Sequence, residues 1–180
     1  AAIIGFSMFG SKHQYLVKNN SIDYKNLNIF LEKFGKKKFL IFGFTSLVYE
    51  QLMNKLNTKK LKSFFNNGIL IHGGGWKKME KIKVSNEIFK SKLKKKLKIN
   101  SIFNYYGLIE QTGSIFFECN GCGCFTPSEY SEVLIRDKNF KVLSKNKKGF
   151  IQLLSILPKS YPGHSILTED IGQLINNSCK

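Results

Sequence analysis

Three short apolar runs recur in the N-terminal part of the chain: Phe-Leu-Ile-Phe at 39–42, Ile-Leu-Ile at 69–71 and Ile-Phe-Asn-Tyr-Tyr at 102–106. Runs this short and this apolar suit strands covered on both faces. Between them the spacing turns helical. Residues 21–34 carry Leu27, Phe30, Leu31 and Phe34 on one stripe and stop at Gly35. After Gly43, read as a turn, Thr45 or Ser46 is placed to cap a helix that aligns Val48, Leu52 and Leu56. Residues 85–98 align Phe89, Leu93 and Leu97 while lysines fill the other positions. Strands alternating with helices predict an α/β fold, a mostly parallel sheet flanked by helices.

Beyond Gly113 the texture changes. Residues 114–118, 132–136 and 150–154 read as strands separated by turns containing Gly, Pro and Asn, with no helical period. The expected organisation is an α/β portion over 1–119 and a β-rich subdomain over 120–180. With 180 residues and 42% hydrophobic content, the chain suits one well-filled domain or a large part of one. It opens at Ala1 and stops at Lys180 after what reads as continuing structure, so a piece of a longer chain is expected.

The formal charge of +17 raises a nucleic-acid or anionic-surface reading. Arg136 is the only arginine, however, and arginine is the residue suited to bidentate phosphate and base contacts. Lysine-rich solvated helix faces account for the charge, and no nucleic-acid partner is expected. The apolar opening, AAIIGFSMFG, is too short to span a bilayer and lacks a basic leader. No transmembrane segment is expected. Cys119, Cys122 and Cys124 sit together rather than spread as a disulfide framework, which suits a reducing, cytoplasmic setting.

Three motifs carry chemistry. Asn104-Tyr105-Tyr106-Gly107-Leu108-Ile109-Glu110 ends a predicted strand, where open α/β sheets place their ligands. Tyr106 offers a ring for a purine, Gly107 a close backbone, and Glu110 a hard oxygen for Mg²⁺. The plainer reading is a core tyrosine and a surface glutamate. Gly73, Gly74 and Gly75 follow the second strand inside His-Gly-Gly-Gly-Trp, a pattern that implies unusual backbone or close ligand approach. Thr168-Glu169-Asp170 follows Tyr161-Pro162-Gly163-His164-Ser165, and its carboxylate suits vicinal ribose hydroxyls. The cysteine cluster, with His164 or Cys179 as a fourth ligand, raises a zinc reading; a glycine-rich turn is the plainer one.

Together these residues resemble the adenylate-forming superfamily of acyl-CoA synthetases, phenylacetate-CoA ligases and luciferases. The match is closest to its acyl-protein synthetase (LuxE-type) branch. The motifs that carry it are HGGGW at 72–76, YGxxEQTGSIxxEC at 106–119 and SxLPxSYPGHSILTEDxG at 155–172, and the resemblance spans about residues 5–172. It implies an ATP- and Mg²⁺-dependent ligase. A carboxylic acid, expected to be fatty, attacks the α-phosphate of ATP to form an acyl-adenylate, and the acyl group then passes to a cysteine thiol on protein. By the same resemblance Glu110 holds Mg²⁺, and Tyr106, Gly107 and the backbone of Gly73, Gly74 and Gly75 bracket the adenine. Asp170 takes the ribose hydroxyls. Glu110 and His164 are the candidate catalytic residues, and an acyl-reductase or acyl-transferase is the implied protein partner. Ile109 stands where the superfamily has threonine, which implies that an α-phosphate contact is either missing or supplied by another group, with Thr112 the candidate. The upstream phosphate loop and the downstream lysine-bearing lid are missing, so this piece alone is expected to be inactive. The runner-up enzyme is a serine hydrolase using His72-Gly73-Gly74-Gly75 as oxyanion hole and Ser165 as nucleophile. The non-enzymatic alternative is a basic binding module.

Overall fold

A computed structural model of the chain describes residues 2–57, 61–159 and 161–176. It divides into two compact units, Ala1–Asn104 and Tyr105–Lys180.

The first unit opens with helix α1 (Ala2–Ser7) and a small hairpin of β1 (Val17–Lys18) and β2 (Ser21–Ile22). Asn19 and Asn20 link the two strands with φ of 49° and 57°, the paired left-handed geometry that two-residue hairpin loops require. This hairpin claims Ser21 and Ile22, so helix α2 (Tyr24–Phe34) starts later than the spacing predicts. Its cap is Asp23, whose carboxylate accepts from the Asn26 amide at 3.0 Å. Gly35 ends α2 in a right-handed conformation; glycine is needed because a Cβ there would lie 2.5 Å from Phe64.

Strand β3 (Phe39–Phe44) pairs in parallel with β4 (Gly68–Gly73), and β5 (Ser101–Tyr106) is the next neighbour of β4. Gly43 does not turn the chain. It stands inside β3 opposite His72, where the missing side chain makes room for Val48. Helix α3 (Thr45–Val48) begins directly after β3 with no side-chain cap, and a wider π-helical segment continues it from Tyr49 to Lys55. The short α4 (Lys62–Phe65) precedes β4. Helix α5 (Asn86–Leu97) is capped by Ser85 and closed by Lys98 in the left-handed region, φ 63°. Its stripe of Phe89, Leu93 and Leu97 is fully buried with Leu31, Leu52, Phe65 and Leu70. Each such side chain contributes about 1.5–3 kcal/mol of transfer free energy. Lys92, Lys94 and Lys95 of α5 face solvent.

In the second unit Tyr105 and Tyr106, the last residues of β5, pair antiparallel with β6 (Phe116–Glu118). Strand β6 pairs in turn with β7 (Phe125–Thr126). A separate antiparallel sheet holds β8 (Ser131–Arg136), β9 (Gly149–Ser155) and β10 (Ser165–Gly172) in the order β10-β9-β8. Ile135 and Leu153 are its buried centre. Between Leu167 and Ile171 the pairing of β10 with β9 shifts register. That irregularity lifts Thr168, Glu169 and Asp170 out of regular pairing, as bulges do beside functional sites. Among the described residues no helix is long and apolar enough to cross a membrane.

Candidate functional site

In the second unit the ends of two predicted motifs meet. Tyr106 is braced by Phe116 and Phe125, each with its ring centroid 6.1 Å away, and its hydroxyl donates to Asp170 Oδ2 at 2.6 Å. Burial of the phenol, reinforced by the bond to Asp170, pushes its pKa well above the usual tyrosine value. The hydroxyl therefore keeps its proton near neutral pH. Thr168 supports the other partner: its hydroxyl donates to the Ile151 carbonyl at 2.9 Å and accepts from the Asp170 amide at 3.2 Å.

Past Tyr106, Gly107 lets the chain pass the Ser114 carbonyl, which a Cβ would approach at 3.3 Å. A single 3-10 turn, Ile109–Gln111, then presents Glu110 to solvent. Leu108, Glu110, Ile166, Leu167, Thr168, Glu169 and Asp170 line one open cleft. Glu110 and Asp170 thus share a cleft, and Tyr106 reaches it through Asp170. Thr112 and His164 lie outside the lining. The Thr112 hydroxyl donates to the Ile109 carbonyl at 2.9 Å, and exposed His164 uses its carbonyl to accept from the Ser155 amide at 2.9 Å.

Two residues that sequence reasoning passed over hold this turn. Gln111 is fully buried and donates through Nε2 to the carbonyls of Gly163 (2.9 Å) and Leu153 (3.4 Å). The Tyr161 hydroxyl accepts from the Thr112 amide at 3.2 Å. A buried glutamine gives no periodic signal, so only its place inside a long motif could have flagged it.

The glycine bend belongs to the first unit. His72 is 1% exposed, and its Nδ1 lies 3.0 Å from Thr45 Oγ1, which itself donates to the Gly73 carbonyl at 3.1 Å. Because the threonine spends its proton on that carbonyl, the proton between the two side chains belongs to His72 Nδ1. Burial, reinforced by repulsion from Lys90, lowers the histidine pKa to about 4, so the ring is neutral. Thr45 therefore serves this bond rather than the helix cap that the sequence suggested. Trp76 anchors the other end, with Tyr49 and Phe89 at centroid distances of 5.0 and 6.0 Å. Between these anchors Gly74 and Gly75 are exposed, and Gly74 has φ +75°, where a side chain would be strained.

The family described as "Acyl-protein synthetase, LuxE" matches residues 1–180. The chain belongs to the LuxE acyl-protein synthetase family. No curated protein sequence matches it. Among solved structures, this LuxE-family chain is similar to ATP-bound MatB from Rhodopseudomonas palustris: TM-score 0.58, 12% identity, covering 83% of this chain and 31% of that one. It is also similar to the luciferase-like enzyme from the nonluminescent mealworm Zophobas morio, with TM-score 0.55, 20% identity and coverage of 85% and 38%. A third is o-succinylbenzoate CoA synthetase (MenE) from Bacillus subtilis, with TM-score 0.54, 15% identity and coverage of 86% and 32%. The fold is that of part of an adenylate-forming enzyme. The chain spans about a third of the length of the structures it matches.

Other readings are corrected by the geometry. The zinc reading finds no support at Cys119, Cys122 and Cys124. The segment closes on itself through Cys119 N donating to the Cys124 carbonyl (2.7 Å) and Gly123 N to the Cys119 carbonyl (2.9 Å). Cys124 points its thiol at the Cys122 carbonyl. Among the described residues no group of three or more His, Cys, Asp or Glu could hold a metal ion. Cys179 lies outside the described residues. The hydrolase reading needs Ser165 on a sharp turn from strand to helix; it instead opens strand β10, its hydroxyl accepting from Gln152 Nε2 at 2.8 Å.

Proposed function

We propose that this chain is part of a ligase that activates a carboxylic acid with ATP and passes the acyl group to a protein cysteine thiol. The observation that carries the reading is the 2.6 Å bond from Tyr106 to Asp170, which joins two motifs 64 residues apart beside Glu110 in one cleft. The donor set fits the nucleotide. Asp170 spends one oxygen on Tyr106 and still has acceptor capacity for vicinal ribose hydroxyls, since a carboxylate offers about four lone-pair sites. Glu110, an exposed carboxylate, would hold Mg²⁺, a cation that needs few protein ligands when phosphate oxygens and water complete its shell. When bound, Mg²⁺ supplies electrostatic stabilisation to the phosphoryl oxygens. In the first unit, the exposed backbone at Gly74 and Gly75 is assigned to nucleotide contact on the family resemblance.

The reaction balances as a displacement. The acid carboxylate attacks the α-phosphorus, pyrophosphate leaves, and a thiol then attacks the acyl carbon with release of AMP and a proton. A fatty acid as substrate, an acyl-reductase or acyl-transferase as partner and a cytoplasmic setting belong to the same proposal. Acid-dependent ATP/pyrophosphate exchange in the full-length protein, screened over fatty, aromatic and amino acids, tests it. Exchange with one acid class, abolished by Glu110→Gln and Asp170→Ala, is the expected result. Absence of exchange with every acid would remove the reaction class, and undiminished exchange in both variants would remove the site.

A further inference from the structure

We infer that Gln111 is a positioning residue that sets Glu110 against Asp170 by clasping the Ile109–Gln111 turn to strand β9 and to the loop entering β10. The inference rests on the nucleotide reading of that cleft and gives a role to a residue which that reading leaves without one. Three fastenings join the turn to the loop entering β10. Gln111 Nε2 spends both hydrogens on carbonyls, Gly163 in that loop at 2.9 Å and Leu153 in β9 at 3.4 Å. The Thr112 amide donates to the Tyr161 hydroxyl at 3.2 Å. Gly163 packs so closely on the Glu110 carbonyl that a Cβ would stand 2.7 Å from it.

The orientation of the Gln111 amide is dictated by its surroundings. Two carbonyl acceptors face one end, so the NH₂ must point there. A methionine or leucine of similar size would supply neither bond. Because β9 pairs directly with β10, anchoring the turn to Leu153 and to Gly163 just before β10 references Glu110 to the sheet whose strand β10 carries Thr168 and Asp170. Catalytic groups held this way depend on their supporting bonds, since small misplacement weakens every contact made to substrate.

The experiment compares Gln111→Met, which keeps length and loses both donors, with Gln111→Glu in the full-length protein. Two readouts are taken: ATP/pyrophosphate exchange, and amide hydrogen exchange over residues 109–114 and 161–170. For Gln111→Met we expect the apparent KM for Mg·ATP to rise roughly tenfold, the loss of one to two hydrogen bonds, while the KM for the acid stays unchanged. Amides in the turn should exchange faster, with those of β8 unaltered. Gln111→Glu should match that defect at pH 8, where its carboxylate has no hydrogen to donate to either carbonyl. A merely structural role would lower the active fraction and kcat with both KM values preserved, and that result overturns the inference. Unchanged hydrogen exchange in the turn overturns it as well. Should Gln111→Met fail to fold, the same two readouts on Gln111→Glu decide. If the wild type exchanges with no acid, the ligase reading falls, while hydrogen exchange still decides whether Gln111 clasps the turn.

Discussion

The glycine bend of the first unit and the carboxylate cleft of the second use polar residues in opposite ways. At the bend, His72 and Thr45 are buried, mutually bonded and neutral, and they hold the backbone so that Gly74 and Gly75 face outward. At the cleft, Glu110, Glu169 and Asp170 are exposed carboxylates, and the buried groups, Gln111 above all, stand behind them. One region places its polar chemistry in the scaffold and presents bare backbone. The other keeps its scaffold neutral and presents charge. Substitutions in the first should therefore be read in stability, and substitutions in the second in activity.

The largest break in this contrast should come from Asp170→Ala. Removing an exposed carboxylate should leave the melting temperature within a degree or two of the parent while cutting ATP/pyrophosphate exchange by about 100-fold or more. A parallel fall in melting temperature would mean that Asp170 supports the fold rather than the chemistry. Acid should break the first unit instead. The folded His72 pKa of about 4 lies below the ordinary 6.5, so the unfolded chain takes up a proton that the folded ring refuses. This contribution is fully present above pH 6.5, falls as pH drops toward 4, and amounts to about 3 kcal/mol. Urea unfolding followed between pH 7 and 4 should show that slope, and His72→Asn, which keeps a donor toward Thr45 and cannot titrate, should flatten it.

Smaller effects sharpen the comparison within each region. Gly74→Ala forces a side chain onto φ +75° and should cost about 1–2 kcal/mol, whereas Gly75→Ala, with nothing within 4 Å of the new methyl, should be nearly neutral in stability. If both weaken nucleotide binding equally, the bend acts through backbone exposure rather than conformation. Tyr106→Phe removes one charge-assisted hydrogen bond while keeping the ring between Phe116 and Phe125. A rise of about fivefold to tenfold in KM for ATP at constant melting temperature is the expected outcome.

Wherever a local period governed, the elements were readable. Apolar runs marked β3, β4 and β5, and the spacing of Phe89, Leu93 and Leu97 marked α5 and its buried face, because burial imposes its period on the letters. The hairpin before α2 is illegible in the sequence, since two-residue strands leave no pattern, and Gly43 reads as a turn because a glycine spared for Val48 looks like any other glycine. Strand β10 was read as a motif rather than a strand: its acidic centre sits at the register shift, where alternation fails.

The candidate site divides along the same line. The sequence by itself determined the strand-helix alternation, the core stripes, the family, and the letters at Tyr106, Glu110 and Asp170. Only the tertiary structure decided that the Tyr106 hydroxyl spends its proton on Asp170, that Thr45 bonds His72 rather than capping α3, and that Gln111 ties Glu110 to β9. These are single bonds between polar groups that are distant in the chain or aperiodic within it. They stabilise by direction and distance rather than by repeated burial, and no one-dimensional pattern records them.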